Sequence, residues 1–427
     1  MNSGKISPRS RSGVAAALDI GTTKVCCLIA DADGHRGPGG NVRPRIIGIG
    51  HQVSSGLRKG TVVNLEEAEV SIRAVVEAAE EMAGENISSV AINLSGGRQE
   101  SRLITYEVSI AGHEIGDADI RRILDPANME GEKAEDREYV HTIPVGYTVD
   151  GSRGVLDPRG LFGERLGVNT HIISALRGPL RNLQTAVSRC HLTTEDIVVS
   201  PYASALGCLS EDEKKMGVTC VDMGGGTTSV SVFFDGELVH AQVLALGGDN
   251  VTNDISRGLV TPLNHAERMK TLYGNALPSA NDDQQIIKVP PMGDGSQEDG
   301  NLIPRSMLVS IIRPRIEEIF EQLRDRLVNT GLDKVAGRGL VLTGGASQLG
   351  GVAEVASRIL DKQVRLGRPL AMDGMPEAAL GPTFSTCRGL MHYALGHRTE
   401  ATFMENRDGH QFSGRIGLIG QWLRENF

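Results

Sequence analysis

The sequence predicts an α/β protein of two similar-sized lobes with a phosphate-cradling hairpin in each, and three glycine turns predict it. Apolar strands run into Asp19-Ile20-Gly21-Thr22-Thr23-Lys24, into Asp222-Met223-Gly224-Gly225-Gly226-Thr227-Thr228, and into Thr343-Gly344-Gly345-Ala346-Ser347. The first two turns belong to copies of one hairpin, with Val14–Ile20 returning through residues 25–30 and Val218–Met223 returning through residues 229–234. Two copies in a chain of 427 residues, too long for one ordinary domain, point to a duplicated lobe.

The chemistry of these turns follows from their residue types. Glycines let backbone N–H groups approach an anion with no Cβ in the way, and threonine hydroxyls add donors, which is how a turn cradles phosphate. Asp19 and Asp222 would repel phosphate unless a cation stood between, and Mg²⁺ suits that place because it keeps most of its waters and is held through them by carboxylates. At the third turn a strand over 340–343 enters Gly344-Gly345 and a helical stretch follows through Val352, Val355 and Ile359. A base or ribose fits against such bare backbone; a plain turn packing strand on helix is the alternative.

Composition excludes several classes of function. A net charge of -9, with no Lys/Arg stripe interleaved with aromatics, argues against a nucleic-acid partner. The six cysteines lack the paired spacing of a zinc site and read as buried thiols in a reducing compartment. No run reaches the roughly 20 apolar residues of a transmembrane helix, and the tail over 1–13, with Lys5, Arg9 and Arg11, has no apolar stretch for a signal sequence and is expected to be flexible.

The order of segments divides the chain further. Residues 14–96 and 177–216 form the first-lobe core, and 97–176 form an inserted α/β subdomain with strands over 103–110, 140–149 and 170–175 and a helix over 117–129. Residues 217–250 and 331–396 form the second-lobe core, with 251–330 as its smaller subdomain. Inside the latter, 279–301 is rich in Asp, Gly, Pro and Gln and reads as a mobile loop, followed by a helix with a core-facing apolar stripe. Arg305, Arg313 and Arg315 gather near the start of that helix, as a carboxylate-binding cluster or as an ordinary solvated face.

A polar linker over 397–412 leads into 413–427, where Ile416, Ile419, Leu423 and Phe427 share one helical face, with Leu418 and Trp422 at its edge and Arg424 away from it. The stripe suits a membrane interface, with Trp422 at headgroup depth and Arg424 near anionic lipid, or else docking on the protein's own lobe or on a partner.

Two Asp/Gly/Thr hairpins followed by a Gly-Gly turn resemble the superfamily of actin, heat-shock chaperones and sugar kinases. From residue 14 onward the chain is similar to the FtsA family of bacterial cell-division proteins. Gly48-Ile49-Gly50, Gly56-Leu57-Arg58-Lys59-Gly60, residues 221–227 and 304–315, and the closing Trp422-Leu423-Arg424-Glu425-Asn426-Phe427 carry the likeness. The resemblance implies a two-lobed actin-like ATPase fold of duplicated ribonuclease H-like domains, with an SHS2-like insert in the first lobe and a C-terminal amphipathic helix.

It also implies ATP and Mg²⁺ as ligands. Gly21, Thr22, Thr23 and Lys24 would meet phosphates from one lobe and Gly224, Gly225, Gly226, Thr227 and Thr228 from the other, with Asp19 and Asp222 behind Mg²⁺. Glu267 and Lys270, by spacing alone an ordinary surface pair, would lie beside adenine and ribose, with Gly344, Gly345 and Ser347 on the other side. Ser200 stands on the linking helix where many relatives carry a water-orienting Glu or Gln, so at most weak ATPase activity is expected, with ATP acting as an assembly ligand. The implied partners are further copies in a filament, the C-terminal peptide of FtsZ at the smaller second-lobe subdomain, later division proteins at the insert, and anionic lipid. The implied location is the cytoplasmic face of the inner membrane at the division site. A pilus-assembly actin-like protein and a soluble kinase of the same superfamily are the alternatives.

Overall fold

The computed structural model describes residues 13–36, 42–125, 136–293 and 300–396. The expected tail, except Gly13, lies outside these residues, as do the polar linker and the terminal helix with Ile416, Leu418, Ile419, Trp422, Leu423, Arg424 and Phe427.

The first lobe opens with β1 (Val14–Ile20), β2 (Lys24–Arg36) and β3 (Val42–Val53), and passes through β4 (Leu57–Arg58), β5 (Thr61–Val62) and α1 (Leu65–Ala83) to β6 (Ser89–Leu94). An insert follows as β7 (Glu100–Ser109), α2 (Asp117–Ile123), β8 (Arg137–Val149), β9 (Ser152–Val155) and β10 (Arg165–Leu176). The lobe resumes with α3 (Arg177–Arg189), β11 (Thr193–Val199), α4 (Ser200–Cys208) and α5 (Glu211–Met216). The second lobe begins with β12 (Val218–Met223), β13 (Thr228–Phe234), β14 (Glu237–Leu244), α6 (Gly248–Leu259), α7 (Leu263–Tyr273), β15 (Ile286–Val289) and β16 (Asn301–Pro304). It ends with α8 (Arg305–Asn329), α9 (Leu332–Val335), β17 (Gly339–Thr343), α10 (Val352–Leu360), β18 (Gln363–Leu366) and α11 (Ser385–Ala394).

The two core sheets are the same sheet built twice. The first runs β3-β2-β1-β6-β11 and the second β14-β13-β12-β17-β18. In each, the first three strands are antiparallel neighbours and the last three are parallel. Their inner strands are nearly continuous apolar runs, as sheets covered on both faces require. Helix α1 starts and stops on local signals: the Asn64 side chain accepts from the Glu66 and Glu67 amides, and Gly84 adopts the left-handed conformation at its end.

Helices α4 and α11 cross between the sheets with no clearance. A Cβ on Gly389 would lie 1.6 Å from the Ala203 carbonyl oxygen, and one on Gly207 would lie 1.9 Å from that of Ser385. Backbone meets backbone here, so both positions require glycine.

The insert forms its own four-stranded antiparallel sheet, β7-β10-β8-β9, over a separate core of Ile110, Ile115, Ile123, Leu166 and Val168. Its helix ends at Ile123, short of the expected 129, and residues 126–135 lie outside the described set. The insert is tied to the second lobe through Ser101 on β7. The Ser101 hydroxyl lies 2.6 Å from His171 Nε2 on β10 and 3.2 Å from His240 Nδ1 on β14, and it accepts from the Ala241 amide at 3.2 Å. Burial, with His240 adding, pushes His171 down to about 3, and burial pushes His240 down to about 4.

The segment expected as a mobile loop contains β15, paired antiparallel with β16. Ile287 and Val289 turn inward while Ile286 and Lys288 face solvent, an alternation too brief to stand out among the surrounding Asp, Gln, Pro and Gly. Five of the six thiols are buried, Cys190 is half-buried, and all are free. Among the described residues no helix is long and apolar enough to cross a membrane.

Two outcomes are expected. Gly389→Ala should cost at least about 3 kcal/mol in chemical denaturation, because the new methyl can only be housed by prising the two helices apart. The histidines give acid sensitivity: with folded pKa values of about 3 and about 4 against about 6.5 unfolded, their contribution is complete above pH ~6.5 and is lost as pH falls toward the folded values. The slope is about 1.4 kcal/mol per pH unit for each ring, and His240→Gln should roughly halve it in denaturation midpoints taken between about pH 7.5 and about pH 5.

Candidate functional site

Both hairpin turns close with one bond of the same kind. The Gly21 amide donates to the Lys24 carbonyl at 2.9 Å, and the Gly224 amide to the Thr227 carbonyl at 2.8 Å. The two tips then meet across the interlobe cleft. A Cβ on Gly225 would fall 2.4 Å from Thr23 Cγ2, and one on Gly226 would fall 2.4 Å from Thr22 Oγ1. Only glycine permits this approach.

Behind the tips, Asp19 and Asp222 occupy equivalent places at the ends of β1 and β12 and line the cleft from opposite lobes. Gly344 closes against Asp222 in a left-handed conformation, φ +88°, where a Cβ would sit 2.2 Å from Asp222 Oδ1. Burial pushes the Asp19 carboxyl up against the pull of Lys24. Burial also pushes Asp222 up to about 6, with Asp19 adding and Thr386 and Lys24 opposing. The Thr386 hydroxyl donates to Asp222 Oδ2 at 3.0 Å.

These residues fit a magnesium nucleotide. The buried Asp19 and the partly buried Asp222 line one cleft, and Asp19 helps raise Asp222, so a cation between them is favoured, while the glycine-rich tips lining the same cleft present amides with no Cβ over them. Among the described residues no group of three or more His, Cys, Asp or Glu side chains could enclose a metal.

Gly21, Thr22, Thr23, Gly224, Gly225, Gly226, Thr227, Gly344 and Gly345 all line the cleft. Lys24 lines it too, but its ammonium is held on the wall, 2.6 Å from the Thr383 carbonyl, 3.7 Å from Asp19 and 4.3 Å from the Phe384 ring centroid. Thr228 departs from expectation: it pairs with Met223 in β13 and is fully buried, and strand alternation sends Ser229 to the cleft instead. Ser347 is also buried, its hydroxyl donating to the Gly344 carbonyl at 2.7 Å, so it braces the turn.

Glu267 and Lys270 pair at 2.6 Å, and Lys270 donates to Thr252 at 2.9 Å and to the Gly248 carbonyl at 3.2 Å. A Cβ on Gly248 would lie 3.2 Å from Ala346 Cβ, so this pair stands beside the Gly-Gly turn. The three arginines are not gathered as free cations. Arg305 pairs with the buried Asp282, Arg313 with Glu317 at 2.9 Å, and Arg315 with Asp254 at 2.6 Å and with Glu318.

The cleft also holds Asn93, Ser95, Thr383 and Thr386, which sequence reasoning passed over. Asn93 left a signal, a lone amide in the otherwise apolar close of β6. Thr383 and Thr386 belong to no motif.

Comparison with known proteins agrees with this architecture. The family profile described as "Cell division protein FtsA" matches residues 219–389, and that described as "SHS2 domain inserted in FTSA" matches residues 96–174. The chain is 42% identical to the cell division protein FtsA of Rhizobium meliloti (strain 1021), over 98% of this chain and 96% of the relative. Among solved structures it is similar in fold to the PilM-PilN type IV pilus biogenesis complex, with a TM-score of 0.63 and 18% identity over 89% of this chain and 98% of that one. It is likewise similar to MreB5 of Spiroplasma citri bound to ADP, with a TM-score of 0.53 and 13% identity over 90% of this chain and 96% of that one. With a duplicated actin-like ATPase fold, an SHS2 insert and this likeness along nearly its whole length, the chain belongs to the FtsA family of cell division proteins.

Proposed function

We propose that the chain is an ATP-binding, filament-forming division protein that anchors the FtsZ ring to the cytoplasmic face of the membrane at the division site and recruits later division proteins. The observation that carries this reading is the meeting of the two glycine tips in front of Asp19 and Asp222. Amides of residues 21–23 and 224–227 would hold the phosphates from both lobes at once, so the nucleotide closes the cleft. Bound Mg²⁺ supplies the charge that lets phosphate sit beside two carboxylates. Ser200 and Ser95 line the cleft where a general base would be needed, and a serine hydroxyl is a poor one without a partner. ATP therefore acts chiefly by linkage, favouring the closed and assembling state, with at most weak hydrolysis.

The acidic FtsZ peptide would dock on the smaller second-lobe subdomain, where Ile286 and Leu302 of the β15/β16 hairpin and Met307 of α8 are exposed. Arg305, Arg313 and Arg315 would have to exchange their internal carboxylates for those of the peptide, so apolar contact carries more of the affinity than the arginine cluster suggested. Later division proteins would meet the insert, and residues 416–427 would lie in the lipid interface, with weak single-helix binding multiplied along a filament.

Two measurements test this reading. Because Asp222 is raised to about 6, the Mg²⁺-dependent part of nucleotide affinity should be full above about pH 7 and fall as pH drops through that value, and Asp222→Asn should abolish most of it, about tenfold or more. In co-sedimentation with anionic vesicles and Mg-ATP, the full chain should pellet and a form truncated before Ser413 should stay in solution; equal behaviour of the two forms would refute the anchor.

A further inference from the structure

The base of the cleft carries a hydrogen-bond network whose direction is fixed. The Ile20 amide donates to Asn93 Oδ1 at 2.7 Å, and since a backbone N–H can only donate, the atom it faces must be the carboxamide oxygen. Asn93 Nδ2 therefore points the other way, 2.8 Å from Asp19 Oδ1 and 3.1 Å from both Ser95 Oγ and Ser200 Oγ. One of its two hydrogens serves Asp19, and the other is shared by the serines. The serine oxygens stand 2.7 Å apart and bond to each other.

Counting hydrogens gives the consequence. The serine pair owns two hydroxyl hydrogens, and one lies between the oxygens. The other cannot point at Asn93 Nδ2, which is a donor, and among the described residues no other acceptor lies on either oxygen. Ser95 and Ser200 both line the cleft, so that hydrogen is directed into it.

We propose that Asn93 is a positioning residue of the nucleotide cleft. Pinned by Ile20, it sets the polarity of the Ser95–Ser200 pair so that the pair donates one hydrogen bond to the terminal phosphate of a bound nucleoside triphosphate, while its other hydrogen holds Asp19 in its aim. Asn93, on β6, meets Ser200 across the network and is buried, so that it acts through the serines. The proposal rests on the nucleotide reading above and adds that this chain discriminates triphosphate from diphosphate by a donor and not by a base.

The test is the ratio of ATP to ADP affinity in excess Mg²⁺, measured by displacement of a fluorescent nucleotide from the full chain, with the thermal midpoint in EDTA as a control on folding. In Asn93→Asp the side chain still accepts from Ile20 but meets Asp19 at 2.8 Å, so the two carboxyls share one proton and the affinity for both Mg-nucleotides falls. Its remaining oxygen draws the serine hydrogens inward, so the preference for ATP should fall in addition by about tenfold, the worth of a hydrogen bond to a charged group. The double variant Ser95→Ala/Ser200→Ala should lose the same preference with ADP affinity little changed, and it decides alone if Asn93→Asp fails to fold. A merely structural role would weaken ATP and ADP together and leave the ratio intact. That result, with the parent preferring ATP, overturns the proposal alone; a parent that binds no nucleotide overturns the reading beneath it as well.

Discussion

Everything at the centre of this molecule depends on two turns meeting with bare glycine backbone on one side and threonine side chains on the other. Because Gly225 and Gly226 lie directly against the Thr23 and Thr22 side chains, a methyl group added to either glycine would push the two tips apart. The rest of the fold keeps that approach in register. The duplicated sheets deliver each hairpin from the same strand position, and the α4–α11 crossing, also without room for a Cβ, fixes how the sheets face one another. At that crossing backbone packs on backbone with no soft side chains to absorb error, so the geometry holds within a few tenths of an ångström or fails.

The same closeness explains the electrostatics. Asp19 and Asp222 are drawn into one buried space by the duplication itself, and a symmetric arrangement of like charges is stable only if each is compensated. The compensation is asymmetric: Lys24 and Asn93 contact Asp19 directly, whereas Asp222 takes a hydrogen bond from the Thr386 hydroxyl and feels Lys24 only at longer range. A duplicated fold has thus acquired two chemically distinct halves.

The lobes and their hairpins were legible in the sequence because glycine turns between buried strands are dictated by local sterics. Both hairpin starts and both first strands fall where the apolar runs place them. Thr228 and Ser347 were misjudged because a hydroxyl beside a glycine turn reads alike whether it faces the cleft or the core, and one step of strand pairing decides. Arg305, Arg313 and Arg315 looked like a cluster because their carboxylate partners come partly from other elements, Asp282 and Asp254 among them. Asn93 and Ser200 meet across 107 positions of sequence, a proximity that no local pattern encodes.

The bond network of Ser101 has a mechanical meaning. The insert is joined covalently to the first lobe, yet Ser101 and His171 hold it to β14, the edge strand of the second. It bridges the hinge like a strut. Any rotation that parts the lobes must tear these buried hydrogen bonds or swing the insert along with the second lobe.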